Sequence, residues 1–556
     1  MPKRILTPTE MNACDRRAIK LLSESGSGGE VINGSRVLME RAARWVYDYM
    51  KKTYPALWNR PSRILIICGM GNNGGDGYAL APMLLAGGIA VDILSVGIFA
   101  GGIFAGGIFA GGIPAVGISA GVEKMSPECR YWYEAAKEKG VTIYTALCET
   151  IHYDCIVDAV FGIGLSRPVG AETAAVIDAV NRYAARKEIP VVAVDIPSGI
   201  DALTGEVQGT AIRATDTVCI SHEKRGLLLY PGCLYCGNTV VADIGIGDDV
   251  LSEEPPFLPP VYRMTEDDLC RLPARAPDGN KGTFGRAVIL AGCKNMCGAA
   301  YLSALAAYRS GAGLVEIVTV EDNRIPLQTL LPEAVLSTYV PDAADIPSTP
   351  EAADIWKSAL ARADTVVLGP GLGMSETAHR LVRVVLECVS APIVVDADAI
   401  NHIARDTALA DLLDRTAERT TVVLTPHPGE FSRLTGKSVP VLKVSLIDIA
   451  AAYAGAHGVI LIAKDARSVI TDGKTVYLNT SGSAAMAKGG SGDVLTGITA
   501  ALLAQNRVDD ALPPVEIAAL GAFVHGLSGE RAEKLHGSRG ILAREIADMA
   551  GDVMGG

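Results

Sequence analysis

The segment Lys488-Gly489-Gly490-Ser491-Gly492-Asp493-Val494-Leu495-Thr496-Gly497 decides how the fold of the second half of the chain is interpreted. Three glycines and a serine precede an acid, and an apolar run compatible with a helix follows over 494–503. Such a loop lets backbone N–H groups converge on an anion, and the positive end of the helix adds to the attraction. An acid at this position is well placed to take a proton from a hydroxyl. The alternative is a glycine-rich turn in which Asp493 is only an N-cap.

Length and composition describe a globular protein with at least two domains. The chain has 556 residues, of which 49% are hydrophobic and 20% charged, and this length exceeds one ordinary core. The net charge of −12 argues against nucleic acid as a partner. No apolar run suggests an export signal or a membrane segment. Twelve cysteines without a paired framework predict a cytoplasmic location. The closest cysteine spacings, Cys233/Cys236 and Cys293/Cys297, lack the second pair of a zinc site.

The first half repeats one arrangement, a short apolar strand that ends in a polar loop. Helical spacing over 9–22 and 36–53 precedes a strand at 63–68, the glycine-rich loop 69–77 and a helix from Tyr78. Strand, glycine loop and helix together form the phosphate-binding geometry of a Rossmann-like unit. Two more strands, 154–161 and 190–194, run into the loops 162–168 and 195–201.

Several oxygen-bearing side chains fall at these strand ends. Because ligands of open α/β sheets bind at the carboxyl ends of strands, we expect Asn73, Asp158, Asp195 and Ser198 to lie near one another. Hard oxygen ligands gathered in this way suit a hard cation. The alternative is that the two aspartates only cap turns.

The motifs GMGNNGGDG (69–77), DAVFGIGLSRP (158–168) and DIPSGID (195–201) resemble those of the NAD(P)H-hydrate epimerase family, the YjeF N-terminal domain, and the similarity covers about 9–245. The resemblance implies that the substrate is held by Asn72, Asn73, Gly74, Gly75 and Asp76, and by Gly162, Ile163, Gly164, Leu165, Ser166, Arg167 and Pro168. It implies K⁺ ligands at Asn73, Asp158 and Ser198, and it implies that Asp195 acts in substrate binding and in acid/base epimerisation.

An insertion with a period of five residues interrupts the first half. Copies of Gly-Ile-Phe-Ala-Gly, with degraded copies after them, fill Gly97 to Gly121. The period fits neither a helix nor a simple strand. One interpretation is a loop generated by replication slippage. Because the segment is uncharged and apolar, the other is self-association into a homo-oligomer or larger assembly.

The second half again alternates strands and helices after a proline-rich linker at 252–260. Strands at 287–291, 365–368, 392–395, 421–424 and 459–463 predict a three-layer α/β fold. Most of their carboxyl ends carry motifs: Gly-Pro-Gly-Leu-Gly (369–373), Asp-Ala-Asp-Ala (396–399), His-Pro-Gly-Glu (427–430) and Lys-Asp-Ala-Arg-Ser (464–468).

Together with Gly-Gly-Ser-Gly-Asp, these motifs resemble the ADP/ATP-dependent NAD(P)H-hydrate dehydratase family of ribokinase-like fold, over about 262–550. The resemblance implies that Gly371, Gly373 and His427 contact the hydrated nucleotide, with Ala299 beside them, and that Asp493 is the catalytic acid/base. It implies that the adenine nucleotide is held by Lys464, Asp465, Ala466, Arg467 and Ser468, and by Gly489, Gly490, Ser491 and Gly492. Two segments depart from the family pattern, 464–468, where Asp465 adds a carboxylate, and Ser483-Ala484-Ala485.

Two of these residues keep a structural alternative. His427 stands between two prolines and could be a fixed turn residue. Lys464 could be a solvated surface charge.

The sequence therefore predicts an epimerase domain over 1–250, a linker over 251–261 and a dehydratase domain over 262–556, each a three-layer α/β/α fold. The first would interconvert R and S forms of NADHX and NADPHX, and the second would dehydrate the S form with ADP or ATP. K⁺ is expected in the first site and Mg²⁺ with the nucleotide. The alternatives are a ribokinase-like small-molecule kinase and an assembly protein with a relict site.

Overall fold

The computed structural model describes residues 2–24, 33–97, 121–144, 151–247, 259–272, 275, 277–341, 350–506 and 511–555. The chain forms two compact units, one of Arg4–Pro255 and one of Pro256–Gly556 together with Met1–Lys3. Apart from Gly97 and Gly121, the pentapeptide insertion lies outside the described residues, and so does the linker up to residue 258. Within the described residues, no helix combines the length and the apolar character needed to cross a bilayer.

The first unit is built on a seven-stranded parallel sheet. The strands in this part of the chain, seven of which form that sheet, are β1 (Lys3–Leu6), β2 (Arg63–Cys68), β3 (Ala90–Ser95), β4 (Thr142–Tyr144), β5 (Cys155–Ala159), β6 (Val191–Val194), β7 (Asp216–Ile220), β8 (Glu223–Lys224) and β9 (Asn238–Ala242). Its helices are α1 (Pro8–Glu24), α2 (Gly34–Thr53), α3 (Asn72–Ala86), α4 (Pro127–Glu138), α5 (Ala171–Lys187) and α6 (Arg225–Leu228). The sheet order is β4-β3-β2-β5-β6-β7-β9, and β1 pairs separately with β8.

Both faces of this sheet are covered, as the continuous apolar strands predict. Alternate residues of β2 point to opposite faces: Ile64 and Ile66 join a core with α1 to α4, while Leu65 and Ile67 join a core with α5. The three-layer prediction is therefore confirmed for this unit.

The first glycine motif is helical, which corrects the predicted loop over 69–77. Helix α3 begins at Asn72, six residues before the predicted start at Tyr78. Its glycines are required by close packing. A Cβ on Gly74 would lie 2.0 Å from the carbonyl oxygen of Gly69, and one on Gly77 would lie 2.8 Å from Ala159 Cβ. Glycine density, which signals a loop in a sequence, here allows a helix to approach the sheet.

The second unit contains β10 (Val261–Arg263), β11 (Arg286–Leu290), β12 (Leu314–Val320), β13 (Val335–Tyr339), β14 (Thr365–Leu368), β15 (Ile393–Val395), β16 (Val422–Leu424), β17 (Ile460–Ala463), β18 (Val469–Thr471) and β19 (Val476–Leu478). Its helices are α7 (Cys297–Arg309), α8 (Arg324–Leu330), α9 (Pro350–Leu360), α10 (Glu376–Cys388), α11 (Ala397–Arg405), α12 (Thr407–Ala417), α13 (Pro428–Thr435), α14 (Val439–Val444), α15 (Leu446–His457), α16 (Ser491–Gln505), α17 (Pro514–His536) and α18 (Ala543–Gly555).

Strands β13-β12-β11-β14-β15-β16-β17 of this unit are parallel, and β17-β18-β19 continue as antiparallel neighbours. One face of the sheet is buried beneath α7, α16, α17 and α18. Helices α7 and α16 approach closely because Gly497 has no side chain; a Cβ there would lie 2.1 Å from the carbonyl oxygen of Ser303. Both units therefore have the predicted α/β fold, and their parallel strands bring the sequence motifs to one edge of each sheet.

Candidate active sites

The first unit contains a cavity of about 800 Å³ at the carboxyl ends of its strands. Three of the predicted motifs contribute to its wall, and α1 and β8 contribute further residues. The lining includes Met11, Asn12, Asp15, Asn72, Asn73, Asp76, Gly162, Ile163, Gly164, Leu165, Ser166, Arg167, Thr173, Asp195, Ile220 and Lys224. Gly74, Gly75 and Pro168 are not among the lining residues. Gly74 and Gly75 lie inside α3, so their role as substrate contacts stays a prediction.

The predicted K⁺ ligands form one hydrogen-bonded group beneath this cavity. The Ser198 hydroxyl donates to Asp158 Oδ1 at 2.6 Å, and the Ser198 amide donates to Asp158 Oδ2 at 2.7 Å. Asn73 Nδ2 donates to the Phe161 carbonyl at 3.0 Å, and the Phe161 amide donates to the Ser198 hydroxyl at 2.8 Å. Asn73 Oδ1 is buried and has no hydrogen-bond partner in the described part of the chain. Burial raises the pKa of Asp158 to about 6.

Asp195 lies at the end of β6 in a left-handed backbone conformation, with φ of 69°. This conformation is unusual for a residue other than glycine and is concentrated at functional sites. Its Oδ1 accepts hydrogen bonds from the Ile220 amide, at 3.1 Å, and from the buried Lys224 ammonium. Lys224 could not be singled out from the sequence, because a lysine beside His222, Glu223 and Arg225 resembles a charged turn.

Two further carboxyl groups face the same cavity. Burial raises the pKa of Asp15 to about 6. The positive charge of Lys224 opposes this shift, and the negative charge of Asp195 adds to it. Burial, reinforced by Asp195 and Asp15, raises the pKa of Asp76 well above its usual range. Asp15 was not found from the sequence, because nothing in the apolar spacing of α1 distinguishes it from a solvated residue.

In the second unit, Asp493 lies in the first turn of α16 and faces a buried ion pair. Lys464 Nζ donates to Asp396 Oδ1 at 2.8 Å, and the Thr425 hydroxyl donates to the same oxygen at 2.6 Å. Burial, and then Asp396, raise the pKa of Asp493 to about 7, while Lys464 opposes the shift. Lys464 is thus no solvated surface charge, since its side chain is only 21% exposed.

The glycine-rich motif ahead of Asp493 is open toward this pair. Gly490 has φ of 94° and immediately precedes α16. A Cβ on Gly492 would lie 3.2 Å from Lys464 Nζ and 3.8 Å from Asp396 Oδ2, and one on Gly489 would contact nothing within 4 Å. Ser491 Oγ lies 3.2 Å from His525 Nε2, and burial lowers the pKa of His525 to about 4. The N-terminus of α16 therefore has space for an anion beside a cation.

The predicted contacts of the hydrated nucleotide converge on the neighbouring strand ends. Gly371 has φ of 61°, and a Cβ there would lie 3.0 Å from Ala299 Cβ. The Gly373 amide donates to Asp398 Oδ2 at 2.8 Å. The charge of Asp398 also helps to raise the pKa of Asp493. These residues thus surround the same region as Asp493.

His427 has the structural role that its position between prolines suggested. It caps α13: its Nδ1 accepts a hydrogen bond from the Gly429 amide at 3.0 Å, and its Nε2 lies 3.2 Å from Glu430 Oε1. Burial, and then the charge of Lys464, lower the pKa of His427, so its ring is neutral at pH 7. Half of the side chain is exposed, and its contact with the substrate stays a prediction.

The segment 464–468 forms the turn between β17 and β18. Asp465 Oδ1 accepts a hydrogen bond from the Ala466 amide at 2.8 Å, and the Ser468 hydroxyl donates to the Asp465 carbonyl at 3.2 Å. Arg467 Nη1 donates to the Thr480 carbonyl at 3.0 Å. A narrow cleft adjoins this turn, lined by Pro426, Pro428, Phe431, Leu442, Lys443, Leu446, Ala463, Lys464 and Asp465.

Two family models match the chain, one for each unit. The model described as YjeF-related protein N-terminus matches 35–101 and 105–226, and the model described as NAD(P)H-hydrate dehydratase matches 287–551. The bifunctional NAD(P)H-hydrate repair enzyme Nnr of Moorella thermoacetica is 34% identical over 98% of this chain and 95% of its own length.

The chain belongs to the bifunctional NAD(P)H-hydrate repair enzyme family.

The Nnr enzyme of Escherichia coli K12 is 31% identical over 92% of this chain and 87% of its own length. Among solved structures, an ADP/ATP-dependent NAD(P)H-hydrate dehydratase from Bacillus subtilis is 30% identical over 54% of this chain and 98% of that chain, with a TM-score of 0.43. This repair enzyme combines an NAD(P)H-hydrate epimerase with an NAD(P)H-hydrate dehydratase, as the sequence motifs predicted.

Three side chains at the second site of the repair enzyme were not assigned a role from the sequence. Asp396 and Asp398 belong to a motif noted at a strand end, but no role was assigned to them. His525 lies in α17, more than thirty residues after the glycine-rich motif that it contacts. Only the fold brings α17 against α16, so the sequence contains no local signal for this histidine.

Proposed function

We propose that the cavity of the first unit holds the hydrated nicotinamide nucleotide and that Asp195 is its acid/base residue. Inversion at a carbon that bears a hydroxyl requires one group to give a proton to the departing oxygen and another to take a proton from the oxygen that adds. Asp195 supports this assignment because its strained backbone places a carboxylate on the cavity wall. The motif Gly162–Arg167 lines the same wall.

A potassium ion fits the group formed by Asn73, Asp158 and Ser198. The buried Asn73 Oδ1 lacks a partner, and the only hydrogen bonds to the buried Asp158 carboxylate in the described part of the chain come from Ser198 and Val160. Carbonyl, carboxylate and hydroxyl oxygens are the ligands that hard cations prefer. The ion would supply positive charge beneath the cavity, where it would stabilise negative charge on the substrate.

In the second unit, Asp493 would accept the proton of the substrate hydroxyl as that oxygen attacks the terminal phosphate of ADP or ATP. The nucleotide loses its terminal phosphoryl group, and the hydroxyl becomes a phosphate ester. The C–O bond of the ester then breaks with its electron pair leaving on phosphate, and the neighbouring carbon loses a proton to restore the double bond of NAD(P)H. The single observation that carries this assignment is the placement of Asp493 beside Lys464 at the open N-terminus of α16.

The turn 464–468 is where we place the contacts to the adenine nucleotide, because Lys464 follows β17 at this turn and its charge opposes the raised pKa of Asp493. We propose that Mg²⁺ enters with the nucleotide and is bound mainly by its phosphates.

The remaining predictions concern the whole chain. We propose a cytoplasmic enzyme acting on NADHX and NADPHX, with the first activity in 1–250 and the second in 262–556. Self-association through the insertion at 97–121 is tested by deleting that segment and measuring particle mass. An unchanged mass would exclude it.

Single-turnover transfer from radiolabelled ATP separates a dehydratase from a kinase. With S-NADPHX and Mg²⁺, inorganic phosphate should appear in a one-to-one ratio with NADPH, without lasting label on the nucleotide product. A stable phosphorylated product would instead support a small-molecule kinase. Asp195→Asn and Asp493→Asn assign the two steps, because each should abolish one activity and leave the other.

A further inference from the structure

The cavity of the first unit contains a buried cation surrounded by three acids. Lys224 comes from β8, Asp15 from α1, Asp76 from α3, and Asp195 follows β6; all four line the cavity. The lysine side chain is 1% exposed. A buried ion is costly unless it is paired and hydrogen-bonded, so a lysine here needs a reason beyond packing.

Three contacts hold the Lys224 ammonium in place. It forms an ion pair with Asp195 Oδ1, donates to the Ile220 carbonyl at 2.6 Å and lies 3.6 Å from Cys219 Sγ. Although burial opposes its charge, Asp195 raises the pKa of Lys224 above its ordinary value. The lysine is therefore a fixed positive charge directed at one carboxylate.

The two oxygens of Asp195 have different surroundings. Oδ1 is held by Lys224 and by the Ile220 amide. Oδ2 lies 3.7 Å from the position that a Cβ on Gly162 would occupy, at the cavity wall. The ammonium stabilises the charged form of this carboxylate and leaves one oxygen directed toward the cavity.

Asp76 has the opposite environment. It has no ion-pair partner of its own among the described residues. Burial together with Asp195 and Asp15 raises its pKa well above the usual range, although Lys224 opposes this shift. Other ionisable groups near this cluster include Arg16 beside Asp15, Arg167 on the cavity wall, and Cys219 beside Lys224. Glu223 acts on Cys219, and Asp76 raises the pKa of Cys68 and Cys129.

We propose that Lys224 is a positioning residue of the epimerase, which fixes Asp195 as the charged proton acceptor while Asp76 keeps its proton and is the donor. The inference rests on the proposed role of Asp195. As the C–O bond of the hydrate breaks, the ring-nitrogen lone pair forms a C=N bond and the leaving oxygen takes the Asp76 proton to become water. Water then adds to the other face of C=N, the electron pair returns to nitrogen, and the water proton passes to Asp195.

The pH profile of the Lys224→Met variant tests this division of roles. Without the ammonium, the charged form of Asp195 is less stable, so the acid limb of epimerase kcat/KM should move to higher pH. An opposite charge at this range shifts the pKa of a carboxyl by about 1–3 units from its ordinary value of about 4, so activity should fall about 2-fold to 70-fold more near pH 5 than near pH 8. An equal loss at every pH, or no loss, would overturn the proposal. Spontaneous epimerisation is subtracted from each rate.

Asp76→Asn gives a second test if the lysine variant does not fold. The amide has the shape of the protonated acid, so folding should be retained, but it cannot transfer the proton. We expect epimerase kcat to fall about 100-fold or more. Full activity would contradict the proposed donor.

Asp15→Asn is the matched control, because it removes a third acid from the same cavity. Its loss should be below about 10-fold, and its acid limb should stay or move to lower pH. A shift in the same direction as Lys224→Met would exclude an electrostatic cause. If Asp195→Asn itself retained activity, the proposed catalytic role would fail, and not only the role of Lys224.

Discussion

The two glycine-rich motifs of this repair enzyme look alike in sequence but have different physical roles. In the first, Gly74 and Gly77 lie inside α3, where a Cβ would overlap the backbone of Gly69 or the side chain of Ala159. In the second, Gly489 and Gly492 face open space or the flexible end of Lys464. Gly74 and Gly77 therefore allow close packing, whereas Gly489 and Gly492 leave room for a ligand, and the number of glycines in a motif does not distinguish the two roles.

The acid of the second motif should show the largest effect. Asp493→Asn removes the proton acceptor beside Lys464, so dehydratase kcat should fall by about 10²–10⁴, while the epimerase rate of the same preparation stays unchanged. Following NADPH formation and R/S interconversion separately tests both statements. A dehydratase that retained more than a tenth of its activity would remove Asp493 from the chemistry.

Substituting matched glycines tests the packing role. Gly74→Ala places a Cβ 2.0 Å from a backbone oxygen, so it should destabilise the first unit by about 1–3 kcal/mol or more. Gly492→Ala would place a Cβ 3.2 Å from Lys464 Nζ and 3.8 Å from Asp396 Oδ2, with no backbone atom among its near contacts. It should therefore cost less stability than Gly74→Ala, about 0.5 kcal/mol, while weakening dehydratase activity.

Urea unfolding followed by tryptophan fluorescence can measure this difference. Three of the four tryptophans, Trp45, Trp58 and Trp132, belong to the first unit. Equal stability losses for the two variants would show that the glycines of both motifs have the same role.

Removing one of the predicted K⁺ ligands of the first unit should have a smaller effect. Asn73→Ala removes the buried oxygen that lacks a partner, so the K⁺ concentration for half-maximal epimerase activity should rise about 10-fold or more. A K⁺ titration at constant ionic strength measures it, and the dehydratase serves as the internal control. An unchanged K⁺ requirement would argue against this site.

The pH dependence of the dehydratase should show the smallest effect. Because Asp493 must be ionised to accept a proton and its pKa is raised to about 7, dehydratase kcat/KM should rise about tenfold per pH unit below that value and level off above it. A profile that is flat between pH 5.5 and 8 would show that this group does not titrate during catalysis.

Much of the fold could be predicted, because strands buried on both faces are continuous apolar runs. Strands 63–68 and 365–368 were predicted to the residue. The predicted start of α3 was wrong because Gly74 and Gly77 contact residues that only folding brings close to them. Asp493, Asp195 and Lys464 could be singled out from motifs. Lys224, Asp15 and His525 could not, because each acts through a neighbour that is distant in sequence or lacks a motif of its own.

Complete conversion of a mixed R/S NADPHX preparation would show that the two sites act in succession. The intact protein is incubated with K⁺, Mg²⁺ and either ATP or ADP, and NADPH is followed by its absorbance. We expect both epimers to become NADPH, and we expect conversion by the Asp195→Asn variant to stop near the S fraction unless the wild-type protein is added. If the intact protein itself stopped at the S fraction, or formed no NADPH with either nucleotide, the two sites would not act in succession as proposed.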